Sequence, residues 1–225
     1  MRPRRLAALG LAALLIVAVG LGACATTLKP APGTPVVEGS LGRGAIAEGA
    51  GVRIIAWAGA WRAWPRSLDA VVTPVLVTVE NGSQVPLRLR HSDFALVAPT
   101  GQRFAARGPF EVVGHVAEPV GWYASPQLYA GSIVVRDVRG RPFLIDPLWG
   151  DPFFYGPMFT SVDLPSSDMV QLALPERVVK PHDTATGFLY FERVGKVPRV
   201  DLTARLVDDR RSQPFATLTV PFVAD

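Results

Sequence analysis

Alternation of apolar and polar residues predicts a series of short strands in the first half of the chain. In the stretch VVTPVLVTVENGS, Val75, Val77 and Val79 share one face of an extended chain, because successive side chains of a strand point to opposite sides. The Asn-Gly pair that follows favours a tight turn, since both residues tolerate a positive φ. The segments PLRLR, DFALV and QRFAA continue the series, and Leu87 and Leu89 are expected to point inward.

The C-terminal part of the chain shows the same pattern. Val200, Leu202, Ala204 and Leu206 alternate with other residues in VDLTARLV, and FATLTVPFV follows after the polar loop DDRRSQP. These two segments predict a closing hairpin, and ATGFLYFERV predicts the strand before it. Strands at intervals of roughly ten residues, with turns between them, are typical of an antiparallel β-sandwich. The 21 prolines and 21 glycines argue against a helical bundle.

Three tryptophans lie close together at and after the predicted strand VRIIAWA. Trp57, Trp61 and Trp64 have the spacing i, i+4, i+7. This spacing would place all three rings on one face of a short helical turn before Pro65. We interpret the three rings as a core stripe, and an aromatic binding stripe is the alternative.

The middle of the chain, residues 107–165, is too long to be one unstructured loop and is predicted to form an insert. It is rich in proline, glycine and aromatic residues. The segment DLPSSDMVQLALPE at its end predicts one short helix. Asp168 is the expected N-cap, and Gln171 three residues later would complete a capping box.

The aromatic residues of the insert are the best candidates for a binding surface. Rings on a rigid scaffold can stack on sugar faces or accept the apolar surface of a partner. Packing of the rings on the sheet as a lid is the alternative, and the two roles are compatible. The candidate binding residues are Trp122, Tyr123, Trp149, Phe153, Phe154 and Tyr155.

The N-terminus has the order of a secretory signal peptide. Arg2, Arg4 and Arg5 precede an uncharged apolar run that ends at Ala23, and small residues precede the only cysteine, as at a cleavage site. The apolar run is 18 residues long, and could nearly span a bilayer as a helix. A retained membrane helix is therefore the alternative.

The motif LGAC resembles the lipobox of bacterial lipoprotein precursors. It consists of Leu21, Gly22, Ala23 and Cys24. The resemblance implies cleavage before Cys24 and a thioether link from its sulfur to diacylglycerol, and two or three acyl chains would anchor the protein durably. Ala25 stands where aspartate would imply retention, so the resemblance implies the outer membrane. The periplasmic face of the inner membrane is the alternative.

The residues after the lipobox predict a tether. After the signal peptide of residues 1–23, residues 24–51 are rich in alanine, glycine and proline and lack aromatic residues. This composition is typical of a flexible linker, although a short strand at Val36–Val37 is possible within it. The folded domain is expected to span residues 52–225.

Charge argues against a nucleic-acid partner. The whole chain has 23 basic and 19 acidic residues. Three of the basic residues and none of the acidic ones lie in the predicted signal peptide, which leaves a net charge of +1. A net charge this close to zero does not indicate the basic surface that nucleic-acid binding requires.

The sequence contains no strong catalytic motif. His91, Ser92 and Asp93 are consecutive, and adjacent residues do not form a triad because the three side chains must converge in space. An envelope hydrolase that uses His91 or His182 with nearby acids is the weakest alternative. We predict that the protein is not an enzyme.

Metal and cofactor signals are equally weak. The four aspartates in and around the insert could supply oxygen ligands for calcium, but aspartate beside proline or glycine is ordinary turn chemistry. These residues are Asp137, Asp146, Asp151 and Asp163. We predict no metal and no cofactor.

The stretch VTVENGSQVPLRLRHSDFALVAPTGQRFAA resembles the core of bacterial immunoglobulin-like lipoprotein domains of the telokin-like type. The shared elements are a strand that ends in Asn, a D-F-x-L strand and a G-x-x-F strand, and the later GFLYFE strand is similar. The resemblance implies an immunoglobulin-like antiparallel β-sandwich and no common activity.

These observations together predict a membrane-anchored envelope lipoprotein. Its expected role is a non-catalytic binding or structural one in envelope assembly or maintenance, with an envelope protein or a glycan as partner. A glycan- or peptidoglycan-binding module that uses the aromatic insert is the alternative.

Overall fold

Strands make up most of the regular structure in the residues that this computed structural model describes. The described residues are 27–119, 123–124, 133–136, 142–145, 159–195 and 197–224. Within them lies one α-helix, α1 (Ser167–Leu172). The predicted all-β class with one short helix is confirmed. The strands are β1 (Leu28–Pro30), β2 (Val36–Gly39), β3 (Gly42–Gly49), β4 (Val52–Ala58), β5 (Val72–Asn81), β6 (Leu87–Arg88), β7 (Phe94–Val97), β8 (Arg103–Arg107), β9 (Gly114–Pro119), β10 (Tyr123–Ala124), β11 (Ile133–Arg136), β12 (Pro142–Ile145), β13 (Phe159–Leu164), β14 (Val178–Val179), β15 (Thr184–Glu192), β16 (Arg199–Asp208) and β17 (Gln213–Ala224).

One large antiparallel sheet dominates the fold. Its strand order is β1-β17-β16-β7-β8-β15-β5-β4-β3-β2, and β6 and β14 extend it beside β16. The sheet curls until β1 and β17 contact β3, so that it is nearly closed like a barrel. Antiparallel pairing is as the sequence predicts, and the immunoglobulin-like form of the sandwich stays a prediction.

The main hydrophobic core fills the inside of this curled sheet. Val75, Val77 and Val79 of β5 are fully buried in it, and Leu87 and Leu89 also point inward. The alternating residues of β16 are buried as well, and β16 and β17 form the predicted hairpin. Alternation predicted these inward faces correctly because one side of each of these strands is covered by the core.

The chain turns after β5 as the Asn-Gly pair predicts, but β5 does not pair with β6. Instead β6 pairs with β14 and β16. The buried Asn81 side chain holds this crossing: its Nδ2 donates to the carbonyls of Val85 (2.8 Å) and Val179 (3.0 Å), and its Oδ1 accepts from the amide of Ser83 (3.1 Å). The side-chain amide of Asn81 therefore supplies hydrogen bonds at this turn, where a two-residue hairpin would have had backbone hydrogen bonds between β5 and β6.

A second hydrophobic core covers the outer face of β5 and β15. Phe188 and Tyr190 of β15 point into this second core, whereas Leu189 and Phe191 point into the main core. Strand β15 is thus buried on both faces, which explains why its GFLYF sequence is continuously apolar. The other buried members of the second core are Ala60, Trp61, Leu68, Val72, Val112, Val116, Leu164 and Met169.

The helical turn predicted from the tryptophan spacing is wrong. Trp57 lies in β4, and Trp61 and Trp64 lie in the irregular segment that follows it. The core interpretation is confirmed for Trp61, whose ring packs edge-to-face against Phe188 at 5.0 Å and Tyr190 at 6.0 Å between centroids. Its Nε1 donates to the carbonyl of Pro65 at 2.7 Å, so the segment is fixed by tertiary contacts rather than by a helix.

The flexible tether predicted for residues 24–51 is wrong for the strands β1, β2 and β3. Strand β1 pairs with β17, and β2 and β3 form a hairpin on β4. The small residues there serve close packing: a Cβ on Gly44 would lie 2.4 Å from the ring of Trp57, and one on Gly49 would lie 2.8 Å from the side chain of Leu218. A high glycine content does not by itself distinguish glycines that permit close packing from glycines that make a linker flexible.

The insert of residues 107–165 contains regular structure where it is described. Strand β9 pairs with β13, and β10, β11 and β12 form a three-stranded sheet. None of the helices in the described part of the chain is long and apolar enough to cross a membrane.

Candidate functional site

An open groove lies between the end of β8 and the end of α1. It has a volume of about 670 Å³ and is lined on one side by the 3-10 turn Pro109–Glu111 and on the other by residues 170–171 and 173–176. Its apolar lining comes mainly from Pro109, Phe110, Val170, Leu174 and Pro175, and its polar lining from His91, Ser92, Glu111, Gln171 and Glu176.

The 3-10 turn presents Phe110 to solvent. The carboxylate of Glu111 accepts a hydrogen bond from the backbone N–H of Gly108 at 3.0 Å, which closes the turn, and Pro109 is buried beneath it. Phe110 is 73% exposed, and Val113 beyond the turn is 75% exposed. Large apolar side chains at this exposure, beside a groove, are typical of a surface that binds a partner.

Helix α1 forms the opposite wall, and its cap differs from the sequence prediction. Ser166, and not Asp168, is the N-cap: its Oγ accepts from the backbone N–H of Met169 at 3.3 Å. Asp168 instead accepts from the backbone N–H of Trp64 at 2.8 Å. The carboxylate ties the helix to the segment after β4, and Gln171 lines the groove instead of completing a capping box.

Tyr190 fixes the position of helix α1 by a hydrogen bond to its backbone. Its hydroxyl donates to the carbonyl of Met169 at 2.8 Å inside the second core. Burial raises the pKa of the Tyr190 phenol well above its ordinary value, and the negative charge of Asp168 adds to the shift. The phenol therefore stays neutral and keeps its proton available for the Met169 carbonyl.

His91 lines the groove, and each of its two ring nitrogens has a polar partner. Its Nε2 donates to the carbonyl of Leu174 at 2.8 Å, and its Nδ1 lies 3.4 Å from the carboxylate of Glu176. The same carboxylate accepts from the backbone N–H of His91 at 2.7 Å. The imidazole thus joins the start of β7 to the segment after α1, a structural role.

The structure does not bring His91, Ser92 and Asp93 together as a triad. Ser92 is exposed, and Asp93 is buried with its Oδ1 accepting from the guanidinium of Arg205 at 2.6 and 3.1 Å. His182 lies in an exposed turn with a positive φ of 65°. His91, Ser92 and Asp93 therefore do not form a triad among themselves, and the hydrolase alternative stays a prediction.

We expect the substitution Arg205→Ala to lower the free energy of unfolding by about 2 kcal/mol, because it leaves the buried Asp93 carboxylate without its cation. Denaturant titration measures this change. The matched control is Arg199→Ala, which breaks an exposed pair with Asp201 and is expected to cost less than about 0.5 kcal/mol. Equal losses in the free energy of unfolding of the two variants would show that the buried pair of Asp93 and Arg205 contributes no more to stability than the exposed pair.

The calcium ligands considered in the sequence do not form a described site. Asp163 pairs with His115 at 2.8 Å on the surface, and Asp137, Asp146 and Asp151 lie outside the described residues. Within the described part of the chain, no group of three or more His, Cys, Asp or Glu side chains is placed to hold a metal ion.

The other site residues predicted from the sequence also lie outside the described residues. They include the lipobox residues Leu21, Gly22, Ala23 and Cys24. They also include the aromatic candidates Trp122, Trp149, Phe153, Phe154 and Tyr155, and only the backbone of Tyr123 is described, in β10. The lipidation and the aromatic binding surface both stay predictions.

The groove was missed in the sequence because its residues come from distant segments. Phe110 lies in RGPFEVVGH, where apolar residues stand between glycines without strand or helix periodicity. Such a pattern signals an irregular apolar turn, but only the packing of α1 beside it creates the groove. Comparisons with family models, with curated proteins and with solved structures give no match for this chain.

Proposed function

We propose that this chain is a lipid-anchored envelope protein that acts as a non-catalytic binding module. The anchor is the acylated Cys24 implied by the lipobox, in the outer membrane. The scaffold is an immunoglobulin-like β-sandwich, in which β8 pairs with β7 on one side and β15 on the other and so links two halves. The binding surface is the groove beside Phe110.

The observation that carries the binding role is the exposure of Phe110 on a fixed turn. The turn is closed by the bond from Gly108 to Glu111 and seated on the buried Pro109. A preformed apolar anchor of this kind loses little conformational entropy when a partner covers it, and aromatic anchors contribute most of the affinity in many interfaces.

The chemistry of the groove favours a peptide segment that is apolar and carries a lysine or arginine. Phe110, Val170 and Leu174 supply the apolar lining. Glu111 and Glu176 flank it with carboxylates, and Glu176 has about half of its side chain exposed. A cation on the partner would pair with these carboxylates at the rim of the apolar contact.

Photo-crosslinking from position 110 of the full-length lipidated protein in intact envelopes tests this function. We expect mass spectrometry to identify crosslinked segments of an envelope protein that are apolar and basic. A photo-crosslinker at position 215 is the matched control, since Phe215 is also exposed, at 41%, but lies in β17 away from the groove.

The substitution Phe110→Ser is expected to reduce binding of the identified peptide about tenfold or more, as is typical of an aromatic anchor. The melting temperature should stay nearly unchanged because the side chain is exposed. Phe215→Ser should leave the affinity unchanged. Crosslinks only to glycan strands, or the same segments captured from both positions, would contradict the proposed groove.

A further inference from the structure

The first described residues lie at one end of the curled sheet. Thr27 and Leu28 line a small cavity together with Gly59 after β4, Thr73 at the start of β5 and Val194 after β15. The exposed Asp69 lines the same cavity. Strand β17 ends and β16 begins at the same place, since Arg199 pairs with Val223. We call this end, where Thr27 enters the sheet, the Thr27 end.

The Thr27 end is separated from Cys24 by very little chain. Three residue steps join Cys24 to Thr27, and at 3.3–3.6 Å per residue they span at most about 11 Å. The headgroup layer on each side of a bilayer is roughly 5–8 Å thick. If Cys24 carries acyl chains, the Thr27 end is therefore confined to the surface of the headgroups.

Exposed arginines surround the Thr27 end. The guanidinium of Arg62 donates to the carbonyls of Gly59 and Trp61 at 2.7 Å, and Gly59 lines the same cavity as Thr27. Arg193 precedes Val194 and is exposed, and within the described part of the chain it pairs with no carboxylate. Because it is exposed, this guanidinium can contact an anion outside the protein.

Two more arginines lie at the same end. Arg43 stands at the start of β3, which pairs with the end of β4, and Arg199 begins β16. Each forms one exposed ion pair, with Glu38 at 3.6 Å and with Asp201 at 3.2 Å. Such exposed pairs are weak and exchange readily for phosphate.

The opposite end of the sheet carries arginines as well, and several of them form ion pairs. Arg53 lies between Glu48 and Glu80 at 3.0 and 3.3 Å, and Arg177 pairs with Asp183 at 2.9 Å. Hydrogen bonds from Thr184 and Arg177 lower the pKa of Asp183, so this carboxylate is ionised at neutral pH. These pairs are partly exposed, like those of Arg43 and Arg199, so the short link to Cys24 is what distinguishes the Thr27 end.

We propose that the Thr27 end docks on the lipid surface and that its arginines bind the phosphates of anionic lipid headgroups. This inference rests on the acylation of Cys24 in the proposed function. Guanidinium groups bind phosphate in a bidentate manner, and the attraction acts within a Debye length of about 8 Å. The short link holds the arginines inside that range, so the domain stands upright on the membrane.

Labels on the lipidated full chain in vesicles test the orientation. Cys24 is the only cysteine, so an introduced cysteine is the only free thiol once Cys24 is acylated. One fluorophore is placed by Ser40→Cys in the β2–β3 turn at the Thr27 end, and another by Gln84→Cys at the opposite end. The vesicles contain phosphatidylglycerol or only phosphatidylcholine, each with a headgroup quencher.

We expect quenching of the label at position 40 to be about threefold stronger than at position 84 in phosphatidylglycerol vesicles, because the quencher acts only near the surface that attracts the arginines. The double variant Arg62→Glu/Arg193→Glu should abolish this difference. The matched variant Arg210→Glu/Arg211→Glu, in the β16–β17 turn at the opposite end, changes the net charge equally and should preserve it.

Three results would overturn the proposal in different ways. Equal quenching at both positions would show that the anchored domain has no fixed orientation. Unchanged quenching in the Arg62→Glu/Arg193→Glu variant or in phosphatidylcholine would show that the short link acts without the arginines. A chain that mass spectrometry finds without acyl groups, and that stays off the vesicles, would refute the anchor of the proposed function itself.

Discussion

Replacement of Trp61 by alanine is expected to lower the free energy of unfolding by about 4 kcal/mol, as is typical when a buried tryptophan is truncated. The indole is 7% exposed and packs against the rings of Phe188 and Tyr190. Its Nε1 also holds the Pro65 carbonyl. Denaturant unfolding followed by circular dichroism measures the loss.

The variant Trp61→Phe is the matched control, because it keeps an aromatic ring in the second core and removes the bond to Pro65. We expect it to cost about 1–2 kcal/mol. A loss below about 1 kcal/mol for Trp61→Ala would mean that the second core contributes little to stability. Since this core also seats Met169 of α1, Trp61→Ala should weaken peptide binding in the groove as well.

Replacement of Gly187 by alanine is expected to lower the free energy of unfolding by about 3 kcal/mol, at the upper end of the usual cost of overpacking. A Cβ at this position would lie 2.4 Å from Cα and 2.5 Å from the backbone nitrogen of Leu174. The backbone of Leu174 has little freedom to yield, because its N–H donates to the carbonyl of Phe188 at 2.8 Å.

The control for this prediction is Gly39→Ala at the end of β2, where a new Cβ meets no atom within 4 Å. We expect Gly39→Ala to change stability by less than about 0.5 kcal/mol. Similar stabilities for the two variants would show that the chain after α1 shifts easily. Leu174 also lines the groove. If its backbone shifts in Gly187→Ala without a loss of stability, we expect the affinity of the groove for the peptide to change.

The strands were predictable wherever one face is covered and the other is open. Val75, Val77 and Val79 point into the main core while Leu76 and Thr78 are only half-buried, and this contrast is what alternation reports. Strand β15 lacks the contrast because the second core covers its outer face. Its strand character was still visible from β-branched and aromatic residues.

The predictions that were wrong rested on local sequence patterns that are compatible with two different structures. Glycine and alanine before residue 52 predicted a tether, yet Gly44 is small because the ring of Trp57 lies against it. The spacing of Trp57, Trp61 and Trp64 predicted a helix face, yet Trp61 meets the second core from an irregular segment and Trp57 packs against it from strand β4. In both cases the decisive contacts join residues that are far apart in sequence.

The sequence by itself determined the all-β class, the inward faces of the alternating strands and the closing hairpin, because each depends on a repeat of two residues within a short segment. Only the tertiary structure decided the second core, the groove beside Phe110 and the grouping of arginines at the Thr27 end. Each of these joins segments from different parts of the chain, and their approach depends on how the sheet curls and on which loops cover it.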